Sequence, residues 1–166
     1  PTWRPYDYDF PLSMMPDTDL EGLDEWLQIN NVYLLFSVHT AQEPSYLPER
    51  LTNVVRIGGG NPLYDTNEFL MEVDVLLNDY STTSTDFSIL NRPQLFYMPD
   101  YEFYKEECGF VEEYRAILPG KEIESQEQLV SNLEMIFADE AAYLQLHRSK
   151  RDELLSKYFD VSLSNS

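Results

Sequence analysis

Nine consecutive residues concentrate the chemistry of this chain: Asp79-Tyr80-Ser81-Thr82-Thr83-Ser84-Thr85-Asp86-Phe87. The apolar run Val75–Asn78 before them reads as a buried parallel strand, and Ser81 to Leu90 read as a helix that runs out before Arg92-Pro93. A strand that turns directly into a helix presents free backbone N–H groups and the positive end of the helix dipole. That arrangement suits an anion, and Ser81, Thr82 and Thr83 would add hydroxyl donors without bulk. The same residues also describe an ordinary N-cap with a Ser/Thr-rich first turn. Asp79 either orders the hydroxyl turn or simply complements the dipole. Asp86, about one and a half turns beyond Ser81, either holds a ribose or alcohol hydroxyl or pins the loop.

The elements that must position these residues alternate between helix and strand. Pro5, Pro11 and Pro16 mark an N-terminal loop. Asp17-Thr18-Asp19 caps a helix with Leu20, Leu23, Trp26 and Leu27 at helical spacing, and Asn30-Asn31 ends it. Strands are expected over Val32–Val38, Val54–Ile57 and Gln94–Tyr97, with a glycine turn at Gly58-Gly59-Gly60 and a helix from Asp65-Thr66 through Phe69, Leu70 and Val73. A loop after the Gln94 strand carries Asp100 and Tyr104, and Pro99-Asp100 reads equally as a simple turn pair. After Pro119-Gly120 the chain is expected to become helical. Ser125 to Gln128 form a capping box, Leu129, Leu133 and Ile136 share one apolar face, and a last helix runs from Asp139 to Lys157. The alternation predicts one α/β domain over residues 1–166, a Rossmann-like parallel sheet with helices on both faces and a helical C-terminus. Ligands of such sheets bind at the carboxyl ends of the strands, where His39, Gly59, Gly60 and Ser81–Thr83 all fall.

Composition narrows the partners. With 166 residues, 43% hydrophobic and 14% aromatic, the chain can bury a substantial core. A net charge of −19 argues against nucleic acid and against adhesion to anionic lipid. It leaves room for a nucleotide diphosphate held by hydroxyls, one His and a helix start, because long-range charge is screened over roughly 8–10 Å. The single Cys108 excludes an internal disulfide; no Cys/His cluster has zinc spacing and no cofactor or metal is called for. No apolar run is long enough for a membrane helix and no signal peptide is seen; a chain opening on Pro1 reads as a processed or excised segment.

A longer ordered pattern extends the first motif. Asp79-Tyr80-Ser81, Asp86-Phe87, Arg92-Pro93, Tyr97-Met98-Pro99-Asp100, Tyr104, Gly109-Phe110 and Leu118-Pro119-Gly120 follow one another, with Pro1-Thr2-Trp3-Arg4 and Leu34 to His39 ahead of them. In order and spacing this resembles the C-terminal half of the CDP-glycerol glycerophosphotransferases, the teichoic-acid and capsule polymerases with a GT-B-like fold. The resemblance covers nearly the whole chain. It implies a nucleotide-binding half whose N-terminal acceptor half, including the catalytic base, lies elsewhere. His39 would face the nucleotide diphosphate and stabilise charge on the leaving nucleotide, although a lone His ending a strand is by itself more often structural. Ser81, Thr82 and Thr83 would hold the diphosphate, with Asp79 and Asp86 beside them. Gly59, Gly60, Arg92, Asp100 and Tyr104 are further candidates, with turn or surface roles as their plain alternatives.

The implied reaction moves glycerol phosphate, or a related polyol phosphate such as ribitol phosphate, from a CDP-linked donor to a polymer acceptor, CMP leaving. The segment alone is expected to bind CDP-linked alcohols weakly and to turn nothing over. The full protein would be cytoplasmic and peripheral at the inner face of a bacterial cell membrane, with membrane contact made mainly outside this segment. Two positions depart from the family pattern. Ser37 and Cys108 stand where it has cations, and Cys108 itself reads as a bystander. Clusters such as Glu106-Glu107 and Glu112-Glu113 read as solvated faces. Two other readings compete: half of a nucleotide-sugar glycosyltransferase, and a degenerate domain kept as an interaction module.

Overall fold

A computed structural model describes residues 18–37, 50–57, 66–110 and 113–159. Helix α1 spans Leu20–Ile29. Asp19 starts it by accepting the Gly22 N–H at 3.0 Å, so one of the unpaired first-turn donors is satisfied. Leu23 and Leu27 recur on its inner face and are almost fully buried. Asn31, in the left-handed region at φ 53°, turns the chain out of the helix. Strand β1, Leu34–Ser37, follows and pairs in parallel with β2, Val54–Ile57, Leu34 opposite Val54 and Ser37 opposite Ile57.

Helix α2, Thr66–Leu70, is shorter than the pattern through Val73 predicts. Its last turn tightens, with the N–H groups of Met71, Glu72 and Val73 reaching back three residues rather than four. Arg92 then takes the carbonyls of Met71 and Val73, both at 2.7 Å, which ends the helix.

A second parallel sheet contains β3 (Leu76–Asn78), β4 (Gln94–Tyr97) and β5 (Lys121–Ile123) in that order. Leu77 lies opposite Leu95, and Phe96 opposite Glu122. All four β4 residues are buried, so the sheet is covered on both faces there. Between β3 and β4 the predicted single helix divides into α3, Thr83–Phe87, and a tighter 3₁₀ turn, Ser88–Leu90, closed by Asn91 at φ 54°.

Two further elements differ from the sequence-based expectation. Tyr104 does not sit on a loop: Asp100 precedes a helix, α4, over Tyr101–Glu107. The chain also does not turn helical directly after Pro119-Gly120, because β5 comes first. Lys-Glu-Ile is too short and too polar to signal a strand alone; its pairing to β4 makes it one. Gly120 is the entry to that strand, and the first carbon of any side chain there would collide with the Gln94 carbonyl.

Helices α5 (Gln126–Ala138) and α6 (Glu140–Tyr158) close the fold much as expected. Ser125 accepts the Gln128 N–H at 3.2 Å, and the Gln128 side chain returns to the Glu124 N–H at 3.0 Å. Leu23, Leu27, Phe36, Val54, Leu95, Tyr97, Ile123, Leu129, Leu133, Ile136 and Tyr143 form one core. That core joins α1, both sheets and the two C-terminal helices, which accords with the expected parallel α/β architecture.

Candidate functional site

The hydroxyl turn leaves the carboxyl end of β3, where an open parallel sheet offers its crevice. Asn78 sets the turn by donating from its side-chain amide to the Ser81 carbonyl at 2.9 Å. The Ser81 and Thr83 hydroxyls share a hydrogen bond of 2.8 Å, and the Thr83 N–H reaches Ser81 Oγ at 3.3 Å. Ser81 thus begins the helix in the manner of a cap, while Thr82, exposed, makes no side-chain capping bond. Ser84 points inward and is buried.

Neighbouring elements grip the turn. Asp79 is 3% exposed, and the Tyr114 hydroxyl donates to its carbonyl at 3.0 Å. Burial, the Asp79 charge and Tyr104 together hold the Tyr114 phenol far above its ordinary range, so it stays a donor. The Tyr80 hydroxyl donates to Asp100 Oδ1 at 2.7 Å, tying the turn to the start of α4. The Tyr80 ring stacks on Tyr104 with centroids 4.2 Å apart. Tyr101, Phe110 and Tyr114 complete this aromatic cluster, worth about 0.5–1.5 kcal/mol per well-placed pair beyond simple burial.

Among the described residues, two nearby cations are engaged with carboxylates. Lys105 pairs with Glu113 at 3.0 Å. Arg115 pairs with Glu122 at 2.7 Å and lies 4.0 Å from the centre of the Tyr101 ring. Glu113 is therefore more than part of a solvated face. It also accepts from the Tyr101 hydroxyl at 2.7 Å, and these two hydrogen bonds hold its carboxyl below the usual range. Cys108 is exposed at the end of α4, followed by Gly109 in the left-handed region at φ 73°.

Of the predicted site residues, Asp79, Ser81, Thr82, Thr83, Asp100 and Tyr104 come together at the β3 and β4 carboxyl ends. Asp86 lies further along α3, beside an apolar groove of about 300 Å³ formed with Leu70, Met71, Phe87, Ile89 and Leu90. Arg92 precedes β4, at the opposite end of the sheet, and bonds the carbonyls that end α2. His39, Gly59 and Gly60 lie outside the described residues, two, two and three positions past the ends of β1 and β2.

Three important residues are not evident from sequence as site or frame residues. Tyr114 gives no signal, since its contact with Asp79 spans 35 residues. Gln94 has one: it is a polar residue heading the apolar run Leu95-Phe96-Tyr97. Asp24 has another, standing between Leu23 and Leu27 on the buried face of α1.

Comparison with known proteins decides the family. The CDP-Glycerol:Poly(glycerophosphate) glycerophosphotransferase family model matches residues 1–165. The chain belongs to that family. The teichoic acid glycerol-phosphate primase of Bacillus subtilis is 30% identical over 138 residues, 82% of this chain and 34% of the relative. The teichoic acid poly(glycerol phosphate) polymerase of Bacillus spizizenii is 27% identical over 165 residues, 96% of this chain and 38% of the relative. A solved structure of the wall teichoic acid polymerase TagF, a His-to-Asn variant soaked with CDPG, superimposes with a TM-score of 0.67 at 25% identity. It covers 93% of this chain and 36% of TagF. The chain thus spans about a third of the length of each of these relatives. The expected fold, half of a GT-B-like architecture, is that of the TagF match. Among its described residues no helix is long and apolar enough to cross a membrane.

Proposed function

We propose that this chain is the donor-nucleotide half-site of a polyol-phosphate transferase, with the turn Asp79–Thr83 receiving the diphosphate of a CDP-linked glycerol or ribitol. The carrying observation is the gripped turn at the β3 carboxyl end, where Ser81, Thr82 and Thr83 begin a helix while Tyr114 and Tyr80 hold its backbone and neighbour in place. A rigid set of neutral donors suits an anion inside a chain of charge −19, because it needs no free cation. Relatives named for glycerol-phosphate and ribitol-phosphate polymerisation support both polyols.

In the full protein an acceptor oxygen of the growing polymer would attack the β-phosphorus of the donor. The bond from that phosphorus to the bridging oxygen breaks, and CMP leaves with the electron pair. Charge then builds on the CMP phosphate, where Ser81–Thr83 would stabilise it, aided by His39 two residues past β1. The acceptor half and the base that takes the acceptor proton are assigned to polypeptide beyond residues 1–166. The single-domain organisation, the polymer acceptor and a place at the inner face of the cell membrane belong to this same reading.

Calorimetric titration with CDP, CDP-glycerol and UDP-glucose tests it. The expected result is preferential binding of the CDP ligands. Ser81→Ala combined with Thr82→Ala should weaken it by about tenfold, the equivalent of roughly 1.4 kcal/mol. Equal binding of all three ligands, or CDP binding untouched by the double change, would refute the assignment. A cooperatively folded chain that binds none of them would favour a domain kept for interaction alone.

A further inference from the structure

The residue before Leu95 in the fully buried strand β4 is a glutamine, and an apolar residue would fill that place at lower desolvation cost. Its side chain is spent entirely on α3 and the turn after it. Gln94 Oε1 accepts from the Ser84 hydroxyl at 2.8 Å, and Gln94 Nε2 donates to the Ser84 carbonyl at 3.2 Å and to Ser88 Oγ at 2.9 Å. Ser88 Oγ in turn donates to the Ser84 carbonyl at 2.8 Å, closing a ring. Gln94, Ser84 and Ser88 are 2%, 4% and 1% exposed, so water does not compete for any of these bonds.

The backbone of Gln94 is held as tightly. The Tyr143 hydroxyl, from the C-terminal helix α6, donates to the Gln94 carbonyl at 2.7 Å and accepts the Lys121 N–H of β5 at 3.1 Å. Gly120 packs against the same carbonyl. A continuous set of directional contacts therefore runs from α6 through β4 to Ser84, one residue beyond Thr83.

Such a network is a poor way to add stability, since an apolar cluster of the same shape would do as well. Its distinctive property is direction. A five-residue helix resting on apolar contacts can slide or roll; one gripped at both the hydroxyl and the carbonyl of Ser84 cannot. We propose that Gln94 is a positioning residue of the donor site: by fixing α3 through Ser84 and Ser88, and being fixed itself by Tyr143, it sets where the Ser81–Thr83 donors point. This inference rests on the reading of that turn as the diphosphate site.

The test replaces directional contacts without emptying space. In the 166-residue chain, Gln94→Met removes the carboxamide, and Gln94→Met/Ser84→Ala/Ser88→Ala replaces the whole ring by apolar groups. Three readouts are taken: denaturation stability, hydrogen exchange of the Thr83–Phe87 amides, and affinity for CDP-glycerol. The expected result is faster exchange confined to Thr83–Phe87 in both variants and binding about tenfold weaker. The triple variant should regain stability lost by Gln94→Met but not affinity. In a Ser81→Ala/Thr82→Ala background Gln94→Met should cost less affinity than in the unaltered chain, since two of the donors it aims are gone.

Restored affinity in the triple variant, or unchanged α3 exchange in a folded Gln94→Met protein, would overturn the inference. If Gln94→Met fails to fold, Ser84→Ala alone removes one arm of the grip and carries the same exchange test. Faster exchange in α3 from a chain that binds no CDP ligand would keep the positioning role of Gln94 while sinking the donor-site reading.

Discussion

Asp24 offers the sharpest test of how this fold is held together. Its carboxylate is 4% exposed, inside the core-facing side of α1, and serves β2 from there. Oδ1 accepts the Asn53 N–H at 2.7 Å and the Val54 N–H at 3.0 Å; the Thr52 N–H is 3.1 Å away and Gln28 Nε2 is 2.6 Å from Oδ2. Removing the carboxylate by Asp24→Ala orphans the buried Asn53 and Val54 donors. At about 1–3 kcal/mol for each buried unsatisfied group, the loss should be about 4 kcal/mol. That corresponds to a midpoint lowered by roughly 8–16 °C for a chain of this size. Asp24→Asn keeps one acceptor oxygen but loses the charge, and should cost about 2 kcal/mol.

Burial works to raise the Asp24 pKa, but the three backbone N–H groups and Gln28 outweigh it, and the net shift is downward from 3.8. A carboxyl depressed in the folded state stabilises fully above its unfolded value and loses that contribution as pH falls through the folded one. The acid limb of a stability–pH curve should therefore shallow in Asp24→Asn. Guanidinium denaturation at neutral pH, repeated stepwise down through the carboxylate range, gives both quantities. An Asp24→Ala cost under about 1 kcal/mol with an unchanged denaturant slope would refute the reasoning.

Other substitutions probe the site and its frame. Gly120→Ala sets a methyl group against the Gln94 carbonyl, a backbone atom that cannot swing aside. It should cost about 3 kcal/mol or more by thermal denaturation and detach β5, read as fast amide exchange at Lys121–Ile123. Tyr80→Phe removes the 2.7 Å bond to Asp100 but keeps the stacked ring. It should lower stability by about 1 kcal/mol and weaken CDP-glycerol binding more than Arg92→Lys does, Arg92 being at the other end of the sheet. Ser125→Ala deletes the cap of α5 and should cost about 1 kcal/mol with no change in ligand affinity.

Local rules were enough for much of this protein. Asp19, Asn31, Ser125 and Asp139 bound their helices where side-chain capping and left-handed turns require, because those effects act within a few residues. The apolar runs at Leu34, Val54 and Gln94 marked strands, and the order of motifs from Asp79 to Gly120 was by itself enough to mark the family. What tertiary structure alone decided depends on residues far apart in the chain. Lys121–Ile123 is a strand because β4 lies beside it, and Tyr104 packs on Tyr80 because α4 brings it there. Arg92, by sequence a further binding candidate with a surface charge as its plain alternative, bonds the carbonyls of Met71 and Val73 at the end of the sheet away from the crevice. Tyr114 reaches Asp79, and Tyr143 reaches Gln94, across 35 and 49 residues. No local propensity encodes such pairs. They exist because buried polar groups must find partners, and the nearest partner in space is set by how the sheet and helices pack.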